Sequence, residues 1–274
     1  MDRVKNHLKM SNKQFKRIVG TTKPVFRSML DVLQVAFDKL HEPGGKPPNL
    51  TPGDKLLMTF EYYREYRVME RIGMSYGCAK STVSRSINWV EDTLSADGQF
   101  QLPGKRALQE NDVKTVAIDV TEHRIERPKK KQEEWYSGKK KQHTVKSQVI
   151  ADMVSRKIYD IDEAPGSVHD FTLCKLTLLQ WLFLNIILLA DSGYQGIVDY
   201  HAWSLIPVKK SKNRPLSEAE KTYNKELSRQ RVFIEHINAQ IKVFKIMSSP
   251  YRNRRRRHLL RTKLICAILN AERA

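Results

Sequence analysis

Two short apolar runs, each ending on an aspartate, constrain the fold of this chain more than any other feature. Thr115-Val116-Ala117-Ile118 leads into Asp119, and Ile186–Ala190 leads into Asp191. Runs this short and this apolar read as strands buried on both faces, which requires a sheet covered by helices. A carboxylate inside such a strand is costly to bury, so it needs a partner, a metal ion or a raised pKa. In open α/β sheets ligands gather at the carboxyl ends of strands, which is where both aspartates are expected. Taken singly, Asp119 could sit at an exposed strand end, and Asp191 could serve only the turn before Gly193 and Gly196.

The remaining pattern fills in a mixed sheet. His143–Val154, Lys157–Asp162 and Leu205–Val208 are further strand candidates, and Asp170–Leu179 reads as a helix. Ser217-Glu218-Ala219-Glu220 is a capping box that opens a long helix. The expected class is α/β, a mixed sheet with flanking helices, preceded by an all-α region. Pro43–Pro48 and Asp97–Gly104 read as linkers. They divide the chain into a helical arm (1–42), a helical unit (50–95), a larger body (112–250) and a basic tail (251–274).

The helical unit carries a recognisable device. Thr51 and Pro52 start one helix, Tyr66–Gly73 reads as a short second one, and Met74–Cys78 turns at Gly77. Ala79–Val90 follows as a third helix, with Lys80, Ser81, Ser84, Arg85 and Asn88 on its polar face. A short helix, a glycine turn and a helix with that face predict a helix-turn-helix.

Charge points to the partner. The 274 residues carry 49 Lys and Arg against 30 Asp and Glu, a net +19. Such an excess suits a polyanion, and nucleic acid leads an anionic membrane surface as the expectation. Lys139, Lys140 and Lys141 follow Trp135-Tyr136, and Arg254, Arg255, Arg256 and Arg257 lie in a stretch with no acid between Glu235 and Glu272. Lysines around aromatics suit unpaired bases and backbone, although Trp135 could equally be a core anchor. Cys78, Cys174 and Cys266 are too scattered for a disulfide framework or a zinc site. Met1–Met10 lacks a leader's apolar run, and Leu176–Ala190 is too short and too interrupted to span a bilayer. A cytoplasmic protein without membrane attachment is expected.

A third carboxylate joins the two aspartates. Arg231, Glu235, Asn238 and Lys242 fall on one stripe of the long helix, opposite Phe233, Ile237, Ile241 and Phe244. Alone, the stripe reads as solvated ion pairs. Together with Asp119 and Asp191, Glu235 could hold two hard divalent cations against a phosphodiester.

Five segments in order turn these hints into a resemblance: Ala117–Glu122, Trp135–Lys146, Pro165–Asp170, Ala190–Gly196 and Arg231–Glu235. The chain resembles bacterial insertion-sequence transposases of the IS-five group, related to the Harbinger type, with an Asp-Asp-Glu catalytic domain. The resemblance implies a ribonuclease-H-like fold and metal-dependent cleavage and strand transfer at element ends, with Mg²⁺ or Mn²⁺ as cofactor. It implies Asp119, Asp191 and Glu235 as metal-holding catalytic residues, with Arg231 and Lys242 completing an Arg-x3-Glu-x6-Lys signature. Arg231 and Lys242 would contact DNA phosphate or orient Glu235. Ser228 stands where the family has Tyr. His169 and Asp170, at a strand-to-helix junction, are possible auxiliary residues, though Asp170 could simply cap its helix. Expected partners are double-stranded DNA at terminal inverted repeats and target sites, and a second copy of the chain on that DNA, in a bacterial cytoplasm at the nucleoid. A catalytically silent transposase-derived DNA-binding protein, or a helix-turn-helix regulator, is the alternative.

Overall fold

Capping residues set the helices that begin the chain. In the computed structural model, which describes residues 2–40, 48–179, 185–211 and 214–273, α1 (Arg3–Leu8), α2 (Asn12–Val19) and α3 (Lys23–Asp38) come first. Most of the first expected linker lies outside those residues. Ser11 and Gln14 close a capping box on α2, and Gly20 ends that helix in the left-handed region at φ +98°. Then come α4 (Pro52–Arg64), α5 (Met69–Tyr76) and α6 (Lys80–Ala96). Thr51 and Asp54 form the capping box of α4, with Pro at its start, as the sequence indicates. Phe15, Phe26, Met29, Leu33, Leu56 and Ile87 are fully buried and supply the core of this helical unit.

The helix-turn-helix is α5, a turn at Gly77 and α6. The first of the pair starts at Met69 rather than Tyr66. Tyr66 is held at φ +52° with its ring 5.4 Å from that of Tyr62, so it closes α4 instead of opening α5. Gly77 (φ +66°) reverses the chain, and the Cys78 N–H donates to the Gly73 carbonyl at 2.9 Å. A Cβ on Gly73 would lie 2.4 Å from the Cys78 carbonyl oxygen, which is backbone and cannot step aside. Gly73→Ala is therefore expected to cost about 1–3 kcal/mol through overpacking. Thermal melts of the variant check this, and an unshifted midpoint would show that the turn tolerates a side chain. The second expected linker holds a 3₁₀ turn, Gly98–Phe100, with Phe100 buried.

The other unit is built on a six-stranded mixed sheet. After α7 (Ala107–Glu110), β1 (Thr115–Arg124) runs antiparallel to β3 (Gln142–Asp152) and parallel to β5 (Ile187–Leu189). Between them in sequence come α8 (Gln132–Trp135), β2 (Tyr136–Ser137), β4 (Ile158–Pro165) and α9 (Asp170–Thr177). Both β2 and β4 pair antiparallel with β3. The parallel edge strand β6 (Ser204–Leu205) follows β5, and α10 (Glu218–Val243) closes the unit. This is the mixed sheet with flanking helices that the sequence predicts. Val116, Ile118, Ile150, Leu188 and Ala190 share one core cluster with Cys174 of α9. By the two-residue period of a strand, Ala117 and Asp119 turn to the opposite face.

The capping box at Ser217 is present, with the Ser217 N–H donating to Glu220 at 2.8 Å and the Glu220 N–H to Ser217 Oγ at 3.2 Å. Residues 241–249 and 260–274 belong to the helical unit. They carry the end of α10, then α11 (Lys245–Ser248) and most of α12 (His258–Ala271). Of the arginines in the stretch grouped by sequence as a tail, Arg252 and Arg254–Arg257 precede α12, whereas Arg261 lies within it. That helix instead buries Leu264, Ile265, Cys266 and Ile268. Within the helical unit, Arg261 Nε donates to fully buried Glu91 of α6 at 2.7 Å, and Tyr63 of α4 donates to the same carboxylate at 3.0 Å. No helix among the described residues is long and apolar enough to cross a membrane.

Candidate active site

Asp119 sits in mid-strand, not at a strand end. The apolar run marks only the first half of β1, because Val120–Arg124 continues the ladder opposite Thr144–Gln148. Polar pairs such as Thr144 Oγ1 donating to Glu122 at 2.7 Å sustain it there. Asp119 therefore projects from the middle of the sheet onto the face covered by α10. Its Oδ2 accepts from Asn238 Nδ2 at 2.7 Å, and its Oδ1 lies 3.5 Å from the Arg231 guanidinium.

Asp191 lies two residues beyond β5, next to β1 in the sheet, and caps the 3₁₀ turn Ser192–Tyr194 by accepting from the Gly193 N–H at 2.7 Å. The turn-forming reading of this residue is thus correct as far as it goes. A Cβ on Gly193 would meet the same carboxylate oxygen at 2.9 Å, so the glycine permits the close cap. Glu235 is on α10, exposed, one turn from both Arg231 and Asn238.

Electrostatics tie the three acids together. Burial is the largest influence on Asp119; the Arg231 charge opposes it, Asp191 and Glu235 add to it, and the carboxyl is pushed up to about 6. Two negative groups are therefore close enough to resist a third. The raised value has a definite linkage consequence. A carboxyl more readily protonated when folded contributes stability below its unfolded pKa, near 4, and loses it as pH rises through about 6. In chelator, Asp119→Asn is expected to match the wild type near pH 4 and to be the more stable protein at pH 8. Melts at both pH values test this, and a constant difference would show that Asp119 does not titrate in that window.

The donors of this constellation are of the kind a hard divalent cation takes. All donors are hard oxygens, and Arg231 sets a positive charge against Asp119. The Asn238 carbonyl oxygen is buried without a hydrogen-bond partner, a further hard donor beside that carboxylate. Among the described residues no three acidic, His or Cys side chains stand at ligating separation. The chemistry of these donors suits a hard divalent cation, and Arg231 and Asn238 now occupy the Asp119 carboxylate.

The other expected residues distribute as follows. Arg231 is buried, and its guanidinium is paired with Asp119. Lys242 is exposed on the last turn of α10. Asp170 opens α9 and pairs with buried Lys146 at 2.8 Å, while His169 before it is exposed and makes no side-chain cap bond. Lys139, Lys140 and Lys141 are exposed at the β2–β3 turn. Trp135 is not left open for a base, since the Arg255 guanidinium covers its ring at 4.0 Å. Lys80, Ser81 and Arg85 are exposed on α6, Ser84 and Asn88 partly so, and Lys80 reaches Glu70 at 2.5 Å. Asn238 is the residue the sequence did not mark as functional. Its place on the Arg231–Glu235 stripe was the available signal.

Comparison with known proteins identifies the family. A family described as DDE superfamily endonuclease matches residues 118–270, and the helix-turn-helix of DDE superfamily endonuclease matches residues 48–100. A probable transposase for insertion sequence element IS702 from Microchaete diplosiphon is 40% identical over 270 residues, spanning 97% of this chain and 96% of the relative. With both families matched in chain order and the likeness running almost end to end, the chain belongs to the DDE superfamily and is a transposase of the DDE type.

Proposed function

We propose that Asp119, Asp191 and Glu235 are the catalytic carboxylates, that they hold Mg²⁺, and that the protein cuts and joins the ends of an insertion sequence of the IS-five, Harbinger-related kind. The observation that carries this reading is the seat of Asp119 in mid-sheet, bonded to Asn238 and facing Arg231 on the helix that bears Glu235, with Asp191 just past the neighbouring strand β5. Divalent metal ions are the cofactors of DDE nucleases, and when bound they activate a water or 3′-hydroxyl and stabilise the leaving oxygen. The residues of this chain do the rest. Asn238 fixes the Asp119 carboxylate at 2.7 Å, and Gly193 fixes that of Asp191. Arg231 balances their charge until cation and phosphate arrive.

Binding of element ends is assigned to α6, with Lys80, Ser81, Ser84, Arg85 and Asn88 facing DNA. Lys139, Lys140, Lys141, Lys242 and the Arg254–Arg257 run supply phosphate contacts, and His169, exposed before α9, is assigned an auxiliary role. The protein works as at least a dimer on DNA, because two ends must be cut and joined together, and it acts at the nucleoid. Replacing Arg85 and Asn88 with Ala is expected to lower end-specific affinity by about 1–3 kcal/mol per lost base contact and to leave non-specific affinity nearly unchanged. Competition binding with end and random duplexes checks it; equal losses on both would remove α6 as the reader.

Incubating the full chain with a duplex carrying one element end tests the catalytic reading. Mg²⁺-dependent release of a 3′-hydroxyl at that end, followed by its joining to a second duplex, is the expected outcome. Binding without any cleavage in Mg²⁺ or Mn²⁺ would contradict it.

A further inference from the structure

The surface beside the edge strand β6 is apolar in a chain whose surface is otherwise rich in cations. From Leu176 to Val208 the sequence holds no lysine or arginine, the longest such stretch among 274 residues that carry 49 of them. Within it Leu176, Tyr200 and Trp203 are 70%, 62% and 54% exposed, and Val198 and Leu205 are exposed as well. Packing joins these side chains. Lys175, beside Leu176 on α9, lays its ammonium over the rings of Phe171 and Tyr200 at 4.8 and 5.1 Å, and those rings lie 5.8 Å apart. The 3₁₀ turn Ile197–Asp199, just before Tyr200, packs against β6. Trp203 and Leu205 flank buried Ser204, so the two-residue period turns both outward. A contiguous apolar patch of this kind marks a binding surface.

Its charge and backbone decide what it can bind. Surfaces that stack nucleic-acid bases combine aromatics with a cationic groove, whereas here Lys175 is a lone cation at the rim. The backbone after β6 is already bonded to α10. Tyr223 donates to the Ile206 carbonyl at 3.3 Å, the Val208 N–H donates to Asn224 at 2.8 Å, and Asn224 Nδ2 donates to the Val208 carbonyl at 2.9 Å. Side chains, rather than the edge of the sheet, therefore make the contact.

A second copy of the chain fits this surface. Two chains of net +19 repel wherever their lysines and arginines face one another. The patch escapes that repulsion, and its two charges are opposite: Lys175, and Asp199 between Val198 and Tyr200. Neither has an ion-pair partner within its own chain among the described residues. In a two-fold pair, residue i of one copy meets residue j of the other, and the reverse. Lys175 of each copy can then meet Asp199 of the other. We infer that the patch of Leu176, Val198, Tyr200, Trp203 and Leu205 is the surface through which two copies of this chain pair, with Lys175 and Asp199 bridging them twice. The inference rests on the reading that at least two copies act together, and adds that they pair before DNA arrives.

Sedimentation equilibrium of the full chain without DNA tests it, with a thermal melt of each variant alongside. The wild type is expected to dimerise at micromolar concentration. Trp203→Ala with Leu176→Ala should weaken the pair at least about thirtyfold, since a few buried anchors dominate an interface. Asp199→Lys or Lys175→Glu alone should weaken it at least about tenfold, because each sets two like-charge contacts between the copies. An equimolar mixture of those two charge variants should pair again near wild-type strength, as a heterodimer in which both bridges are restored with their signs exchanged. A wild type that stays monomeric, or a mixture no better paired than its two components, would overturn the surface. Variants that dimerise normally but bind end duplexes more weakly would give the patch to DNA instead. Chains per DNA complex are counted separately. Unaltered pairing in the DNA-free variants removes this surface alone, whereas one wild-type chain per DNA complex removes the dimer reading alone.

Discussion

Asp119→Asn, Asp191→Asn and Glu235→Gln are each expected to lower Mg²⁺-dependent cleavage by at least about a thousandfold while leaving DNA binding intact. Each substitution removes a negative oxygen ligand for which two-metal chemistry has no neutral replacement. Residues that work as one unit lose most of their effect at the first removal, so double variants should be scarcely slower than single ones. Affinity for DNA should hold or rise slightly, because negative charge leaves a surface that receives phosphate. The competing view treats Glu235 as part of a solvated ion-pair stripe, for which Glu235→Gln would cost no more than about 1 kcal/mol of stability and nothing in rate. Single-turnover cleavage on an end duplex separates the two by orders of magnitude. Additive losses across the double variants would mean that the three acids act independently.

The largest stability effect is expected within the helical unit, at Glu91 and Arg261. Their side chains are 0% and 4% exposed, and the Glu91 carboxylate also accepts from Tyr63. Removing either partner alone strands a charge where water cannot reach it, at a cost of about 3–5 kcal/mol. Glu91→Ala or Arg261→Ala should therefore lower the melting midpoint by several degrees or leave the helical unit unfolded. The paired replacement Glu91→Leu with Arg261→Met should recover most of the loss, since it removes both charges and keeps the volume. Denaturant unfolding of the three proteins checks this. A double variant as unstable as the singles would show that Tyr63 and the packing around it, rather than the ion pair, hold α12 to α6.

Much of this was legible in the chain itself, for identifiable reasons. Strong local signals gave the right elements: Thr51-Pro52 before α4, Ser217 with Glu220 before α10, and Gly77 at the turn of the helix-turn-helix. Apolar runs located β1 and β5 but understated the first. Its second half is polar and stands on pairing with β3, a partner that no local window contains. The same limit hid the partners of Asp119. Arg231 and Asn238 come from more than a hundred positions away, and the helix period could place them on the Glu235 stripe but not on a particular carboxylate. The C-terminal stretch was obscured by its composition. Four consecutive arginines, Arg254–Arg257, dominate any charge reading, while the apolar surface of α12 becomes visible only against the core it joins.

The central claim is that Asp119, Asp191 and Glu235 converge to hold a divalent cation. Titrating the protein–DNA complex with Mn²⁺, followed by electron paramagnetic resonance of the free ion, tests it without requiring turnover. The wild-type complex should take up Mn²⁺, and Asp119→Asn, Asp191→Asn and Glu235→Gln should each weaken that uptake at least tenfold while still binding the same DNA. Equal Mn²⁺ uptake by the wild type and all three variants would contradict the account.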